Sequence, residues 1–401
     1  MSHDVRVLTG SGDIAAAAAV FRTAMVGQPL TAELDVALLH EPGRTLGVLD
    51  GGTVVGSADS YSGWLVVPGG ARVPHATVTG IGVMPTHQRR GIFTALLERQ
   101  LADIADRGEV LASLRATDAR LYERFGYSIA SRAASFEIDR RRGALRSTVP
   151  EGGPVRLVDR AQARKLLPEI YQAASWTGAI GRGSCWWNQD YLWLDTVPGP
   201  SYVAIHGPAG QEDGYVTYHP VNTPEWHHGH NLTVVADELV AHTDQAYLGL
   251  IRHLAGLDIV DIVRLPTRPA DDPLPELFAD PRAVSLVAMR DETWLRVIDV
   301  AQALAARRYN PAAAAVVISV ADRRLPGNSG SYRIDPDGAG RSGQAADIST
   351  DVAGLSAAYL GGVRWSALGR GGRAAEHRPG ALAAADRLFA TLAEPFAGTA
   401  F

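Results

Sequence analysis

The sequence predicts an α+β chain assembled from successive mixed α/β units, and three observations carry that prediction. An apolar run, Ile81-Gly82-Val83, feeds through a polar, basic turn, Pro85-Thr86-His87-Gln88-Arg89-Arg90-Gly91, into a helical pattern. The strand–helix opening of the N-terminal part recurs at Val155-Arg156-Leu157-Val158, which precedes a second helical pattern over residues 160–174. At 401 residues the chain has room for two or three domains. The Arg- and Gly-rich stretch over 140–154 reads as a linker. The expected units are 1–150, 151–290 and 291–401.

In the first unit, Val5-Arg6-Val7 is a strand and Asp13 opens a helix that runs to Met25. Two strand-like runs, 46–49 and 53–57, flank Asp50-Gly51-Gly52, a hairpin signal. Residues 71–83 supply further strand, and a helix follows over about 90–107. Its apolar positions Phe93, Leu97, Leu101 and Ile104 are spaced by four, four and three, which puts them on one face. Gly108 closes this helix, and a strand over 110–114 follows. Thr117 and Asp118 are N-caps for a short helix that Gly126 ends. The second unit offers strands over 201–205, 214–218 and 231–235 and a helix over 246–255. The third opens on residues 294–300, enters a helix over 301–308, and has strands over 315–320 and 330–334. A last helix over 379–391 precedes the tail Glu394 to Phe401.

Composition narrows the function classes. Of the residues, 46% are hydrophobic and 20% charged, as in soluble globular proteins. A formal net charge of −5 gives no general attraction to nucleic acid or to an anionic membrane. With Cys185 alone, no intrachain disulfide forms. No apolar run reaches the roughly 18 residues of a membrane span. The start, Met-Ser-His-Asp-Val, has neither the basic nor the apolar region of a signal peptide, so a cytoplasmic protein is expected. No Gly-x-Ser-x-Gly supports a serine hydrolase. His227-His228-Gly229-His230 lacks the spacing by which histidines converge on one ion, so no metal is expected. The cluster Ser184-Cys185-Trp186-Trp187, with Tyr191 and Trp193, reads as packing, and Gly369-Arg370-Gly371-Gly372 as a loop.

The turn at 85–91 carries the chemistry. A strand entering a helix N-terminus through a turn with free N–H groups makes an anion site, because the helix dipole and the unpaired donors face the same loop. Arg89 and Arg90 add positive charge, and a diphosphate is the expected ligand. The Walker order Gly-x4-Gly-Lys-Ser/Thr is absent, and a single glycine is too few for a dinucleotide fingerprint. A strand–turn–helix with basic residues for solubility is the alternative reading. Gln88-Arg89-Arg90-Gly91-Ile92-Phe93 resembles motif A of the GNAT acetyltransferase superfamily, Gln/Arg-x-x-Gly-x-Gly/Ala, where the turn holds the pyrophosphate of acetyl-CoA. Phe93 departs from the small residue of that motif. Leu121-Tyr122-Glu123-Arg124-Phe125-Gly126-Tyr127 is similar to a second GNAT motif, in which the first tyrosine protonates the departing CoA thiolate. A phenol with a pKa of about 10 is protonated at neutral pH and close to a thiol in acidity, so the role is chemically sound. Tyr122 as a core tyrosine is the plainer alternative, and Tyr127 reads as packing.

Over essentially its whole length the chain resembles the enhanced intracellular survival family of bacterial acetyltransferases. The markers are Met84 to Gly91, Leu121 to Tyr127, Asp272-Pro273-Leu274-Pro275-Glu276-Leu277, Trp294-Leu295-Arg296-Val297, Ala358-Tyr359-Leu360-Gly361 and Phe401. Within that family a large residue at the Phe93 position is usual. The resemblance implies tandem GNAT-like α/β domains, the second degenerate, followed by a sterol carrier protein-like domain. It implies a homohexamer and acetyl transfer from acetyl-CoA to primary amines, with aminoglycosides as the best-known acceptors. Residue by residue, it assigns Ile81, Gly82 and Val83 to the pantetheine arm. Arg89, Arg90, Gly91, Ile92, Phe93 and Thr94 go to the pyrophosphate, and Thr117 and Asp118 to a further CoA contact. Tyr122 becomes the general acid, and Phe401 offers its terminal carboxylate as base. Glu33, Asp35 and Trp64 are weak candidates for the amine pocket by position and type. The second unit has no basic Gly turn and is expected to bind no CoA.

The sequence therefore points to an acetyl-CoA-dependent N-acetyltransferase acting on an amine-bearing small molecule. Acetylation of protein lysines, or a non-catalytic CoA- or lipid-binding scaffold, are the competing readings.

Overall fold

The computed structural model describes residues 3–26, 38–196 and 199–401. The N-terminal segment forms β1 (Val5–Val7), α1 (Ser11–Met25), β2 (Leu46–Asp50), β3 (Thr53–Val66), β4 (Arg72–Val83), α2 (Ile92–Asp106), β5 (Leu111–Leu114) and β6 (Ser128–Ile129). Next come β7 (Arg132–Asp139), β8 (Val155–Val158), α3 (Arg160–Tyr171), α4 (Ser184–Thr196), β9 (Tyr202–His206), β10 (Gly214–Val221), β11 (Thr233–Ala241), α5 (Asp244–Ala255), β12 (Ile262–Pro269) and β13 (Val284–Asp291). The remainder supplies β14 (Trp294–Val297), α6 (Val300–Ala306), β15 (Val316–Ala321), β16 (Gly330–Asp335), β17 (Gly338–Ser342), β18 (Ile348–Asp351), α7 (Val352–Tyr359), α8 (Trp365–Arg370), β19 (Ala374–Glu376) and α9 (Ala381–Phe389).

These elements form two compact units. One comprises Met1–Ser131, Trp176–Gln189 and Glu292–Phe401. Its larger sheet has the strand order β1-β2-β3-β4-β5-β14-β6, and its smaller one β17-β16-β15-β18-β19. In the larger sheet β4 and β5 run parallel with α2 as the crossover, and pairing covers only His75↔Leu111 to Thr77↔Ser113. Because β4 runs on to Val83 while β5 ends at Leu114, the last six residues of β4 extend beyond its pairing with β5. Opposite this stretch the β3–β4 register slips between Ser57 and Asp59, the mark of a bulge. Gly80 sits there at φ +62°, and a Cβ at that position would press to 2.9 Å from the Asp59 Cβ. Helix α2 buries Ile92, Leu96, Leu97, Gln100, Leu101 and Ile104; of the face expected from the four–four–three spacing, Leu97, Leu101 and Ile104 are buried and Phe93 is half-buried.

The smaller sheet encloses a core of Tyr332, Leu355, Tyr359, Trp365 and Leu388, all without solvent exposure. Arg307 lies among them, 2% exposed, donating to the carbonyls of Tyr359, Arg308 and Phe389, with its guanidinium 4.4 Å from the Phe389 ring centre.

The other unit, Arg132–Ser175 with Asp190–Asp291, holds one sheet of order β13-β7-β12-β11-β10-β9-β8. It repeats the parallel crossover, with β11 beside β12 and α5 between them in sequence.

Two strands depart from a contiguous division of the chain. Residues 132–139 precede the linker yet pair as β7 with β12 and β13. Trp294 to Val297, the expected start of the third unit, form β14 between β5 and β6 in the first sheet. All four β14 residues are buried, so periodicity does not say which sheet receives them. The short helix expected after Thr117 is a single 3-10 turn, Glu123–Phe125, closed by Gly126 at φ +89°.

Candidate active site

The turn after β4 has the geometry of an anion site. Gly91 is the N-cap of α2 at φ +87°, a conformation that favours glycine, and no side chain caps the helix. A Cβ on Gly91 would find only the His3 ring, at 3.7 Å, so the approach to this backbone is open. The first turn of α2 carries no acidic residue. Arg89 and Arg90 are exposed and form no ion pair among the described residues. The Arg90 guanidinium donates to the Thr86 carbonyl at 3.0 Å, and the His3 ring donates to the Arg90 carbonyl at 2.6 Å. Gly91 and Thr94 border a cleft of about 610 Å³ whose lining mixes His3 and Arg99 with Asp4 and Glu98. Free helix N–H groups, a glycine at the point of approach and unneutralised arginines together fit a diphosphate.

Ile81, Gly82 and Val83 lie on the part of β4 beyond its pairing with β5. Gly82 is required by α1: a Cβ there would meet the Phe21 Cα at 2.9 Å and the Ala24 Cβ at 3.1 Å. This stretch of β4 has no partner in β5, so its backbone groups on that edge are not used by that pairing.

Tyr122 begins the 3-10 turn after β5 and is 7% exposed. Its ring is packed by Phe93 (centroids 5.8 Å apart), Tyr127 (6.3 Å) and Trp294 (6.5 Å). Its hydroxyl makes no hydrogen bond among the described residues. Burial, reinforced by the Asp118 carboxylate, pushes its pKa up to about 12, so the phenol keeps its proton at neutral pH. Tyr127 is fully buried with an unpartnered hydroxyl and serves as packing. Asp118 is held by Arg120, which donates through Nε (2.9 Å), Nη2 (2.8 Å) and its backbone N–H (3.0 Å). These bonds pull the Asp118 carboxyl down to about 2. Thr117 is exposed, with its hydroxyl 3.7 Å from the Met25 sulfur.

The chain end is pinned along its length. The Phe396 N–H donates to the Thr177 carbonyl (2.9 Å), and Trp176 Nε1 donates to the Phe396 carbonyl (2.9 Å). Arg182 reaches the Thr399 hydroxyl at 2.9 Å and the Gly398 carbonyl at 3.3 Å. Trp186 Nε1 donates to the Ala400 carbonyl at 2.7 Å, and Arg115 donates to the Thr399 carbonyl. The Arg115 guanidinium carbon is 5.3 Å from the Phe401 ring centre. Sequence reading left Arg115, Arg182 and Trp186 without a role. Only Trp186 carried a signal, the Trp-Trp pair, and that signal indicated packing.

Trp64 lies under the Arg72 guanidinium, 3.9 Å from its ring centre. Glu33 and Asp35 lie outside the described residues. Among the described residues no group of three His, Cys, Asp or Glu side chains is placed to hold a metal ion. No helix of the described residues is long and apolar enough to cross a membrane.

A parallel crossover in which β4 outruns its pairing with β5, with an uncapped Gly-opened helix following β4, is the arrangement of a GNAT acetyltransferase. Family models agree: residues 4–130 match an acetyltransferase (GNAT) domain, 178–297 a second one, and 300–398 a sterol carrier protein domain. The N-acetyltransferase Eis of Mycobacterium tuberculosis is 32% identical over 84% of this chain and 80% of its own. An uncharacterised N-acetyltransferase of Streptomyces avermitilis is 36% identical over 89% of each chain. The crystal structure of Eis1 from Mycobacterium abscessus matches with a TM-score of 0.94 at 48% identity, covering 99% of this chain and 100% of that one. The chain belongs to the Eis family of N-acetyltransferases: two tandem GNAT domains followed by a sterol carrier protein-like domain. GNAT acetyltransferases use acetyl-CoA, and an N-acetyltransferase passes its acetyl group to an amine.

Proposed function

We propose that this protein acetylates a primary amine of a small molecule, with an aminoglycoside as the leading candidate class. In this reading acetyl-CoA lies along the edge of β4 beyond its pairing with β5. Ile81, Gly82 and Val83 bind its pantetheine arm, Arg89 to Thr94 its diphosphate, and Thr117 and Asp118 a further part of the cofactor. The α-carboxylate of Phe401 takes the proton that the attacking amine must lose, and Tyr122 gives its proton to the departing thiolate. The carbon–sulfur bond breaks as the carbon–nitrogen bond forms, and one proton enters and one leaves. The observation that carries the proposal is the pairing of a buried, protonated Tyr122 whose hydroxyl is unengaged with a chain end whose backbone is tied residue by residue.

The lipid-binding alternative draws no support from the third domain, whose core positions are filled by Trp365, Tyr332 and Tyr359. A homohexamer, supported by family resemblance, is part of the proposal.

Release of CoA thiol from acetyl-CoA tests the reading across aminoglycosides, polyamines and lysine peptides. Turnover with a small-molecule amine at least about tenfold above that with peptides is expected. A preference for peptides would assign the protein to lysine acetylation instead, and no release with any amine would remove the catalytic reading.

A further inference from the structure

Glu292 lies two residues before β14 and has no role in the site described above. Its side chain is only 3% exposed. Both carboxylate oxygens are fully engaged. Oε2 accepts from the Ser131 hydroxyl at 2.7 Å and from the Ala397 N–H at 3.0 Å. Oε1 accepts from the Gly398 N–H at 2.9 Å and faces the Arg115 guanidinium at 3.4 Å. A buried carboxylate without such partners would cost several kcal/mol, so this cluster of donors is what makes its burial tolerable.

The tail is shaped to meet it. Gly398 sits at φ +67°, and a Cβ there would strike the Phe396 ring at 2.8 Å. Successive backbone N–H groups beside a left-handed residue form a concavity for an anion, and here the anion is Glu292. Two residues further on in sequence, Trp294 packs against the Tyr122 ring. One short segment thus touches both the seat of the proposed acid and the tail that carries the proposed base.

We propose that Glu292 is a positioning residue for the acetyl-transfer reaction: it clasps the Ala397–Gly398 turn and so fixes the end of the chain for proton transfer. The proposal rests on the reading of the Phe401 carboxylate as base. Glu292 also gives Arg115 a carboxylate partner. Arg115 and Arg182 both donate to the tail.

The test compares Glu292→Gln, Glu292→Asp, Gly398→Ala and a protein extended by a short C-terminal peptide. Gln keeps the volume but turns one acceptor into a donor facing N–H groups. Glu292→Gln is expected to lower kcat about 10–100-fold, the scale of a misplaced reacting group. Acetyl-CoA affinity, read by calorimetry, should stay within about twofold. The deficit should shrink as assay pH rises towards the pKa of the amine, because a neutral amine has one proton fewer for the base to remove than an ammonium ion. Asp should recover part of the rate. Gly398→Ala, which leaves Glu292 in place but strains the turn, should show the same pH-dependent deficit, and it carries the test should Glu292→Gln not fold. Near-parental kcat in Glu292→Gln or Gly398→Ala, with the extended protein inactive, would overturn the clasp and leave the base standing. A deficit that is constant with pH and not recovered by Asp would assign Glu292 to packing and also overturn it. Full activity in the extended protein would remove the base itself, and the clasp's catalytic role with it.

Discussion

Phe93 lies edge-on to Tyr122, with ring centroids 5.8 Å apart and ring planes at 62°. The residue that departs from the small position of the GNAT motif is therefore a wall of the Tyr122 seat. Phe93 also meets Phe125 edge-on at 5.9 Å, so it braces both ends of the turn that presents the phenol. Edge-to-face pairs of this kind add about 1 kcal/mol beyond area burial. Tyr122→Phe should keep the fold and acetyl-CoA binding and lower turnover by about 10²–10⁴-fold, the usual worth of a general acid. Phe93→Ala should lower stability by about 2 kcal/mol, since the ring is only partly buried. Steady-state kinetics and urea unfolding check the pair. Activity of Tyr122→Phe within a few-fold of the parent would make Tyr122 a packing residue.

Gly91 combines a φ of +87° with open space where a side chain would project. Valine there must hold a conformation that costs about 1–3 kcal/mol for a non-glycine residue, and its side chain would occupy the approach to the helix N–H groups. Gly91→Val should weaken acetyl-CoA binding by at least about tenfold. Calorimetric titration reads this directly. An unchanged Kd would show that the loop does not contact the diphosphate.

The chain should bind one acetyl-CoA, not two. In the second GNAT domain α5 corresponds to α2, yet its N-terminus is closed. The Thr243 hydroxyl accepts the Ala246 N–H at 3.0 Å and donates to the Asp213 carboxylate at 2.7 Å. Asp244 puts a negative charge in the first turn. A diphosphate at that position would meet a filled donor and two carboxylates, with nothing to offset its desolvation. A titration stoichiometry of two per chain would contradict this.

His75 makes stability depend on pH. It is fully buried in β4, with Nε2 2.8 Å from the Ser113 hydroxyl. Burial, helped by the Arg44 cation, holds its pKa down at about 3, against 6.5 for a free histidine. Between these values the unfolded chain binds a proton that the folded chain refuses, so stability rises with pH and is lost as pH falls below 6.5. The contribution is about 1.4 kcal/mol per pH unit, or about 2 kcal/mol between pH 6.5 and 5. Urea unfolding at those two pH values should show a loss smaller by about 2 kcal/mol in His75→Gln than in the parent. Equal losses would mean that His75 does not titrate as its burial requires.

Local signals carried much of the fold. The four–four–three spacing on α2 is a helix face wherever the helix lies, and the hairpin at Asp50-Gly51-Gly52 depends on its own turn, Gly51 and Gly52 both adopting positive φ. Gly91 marked the helix entry for the same reason: only its own φ is at issue. Between Thr117 and Gly126 the caps pointed to a helix, but Asp118 spends its side chain on Arg120 and the chain makes one 3-10 turn before Gly126 stops it. Helix α4 escaped notice because its aromatic run reads as a packing cluster rather than as a helical pattern.

By itself the sequence determined the class of fold and the glycine-opened turn that leads into α2, since each rests on contacts within a few residues or on a contiguous motif. Tertiary structure alone decided which sheet receives β7 and β14, and that Trp294 closes the seat of Tyr122. It alone decided that Glu292, Arg115, Arg182 and Trp186 meet the tail across separations of 105 to 284 residues. The physical reason is that strand pairing and buried ion contacts are chosen by shape and charge among elements remote in sequence, and fully buried strands carry no periodic mark of the neighbour they will find.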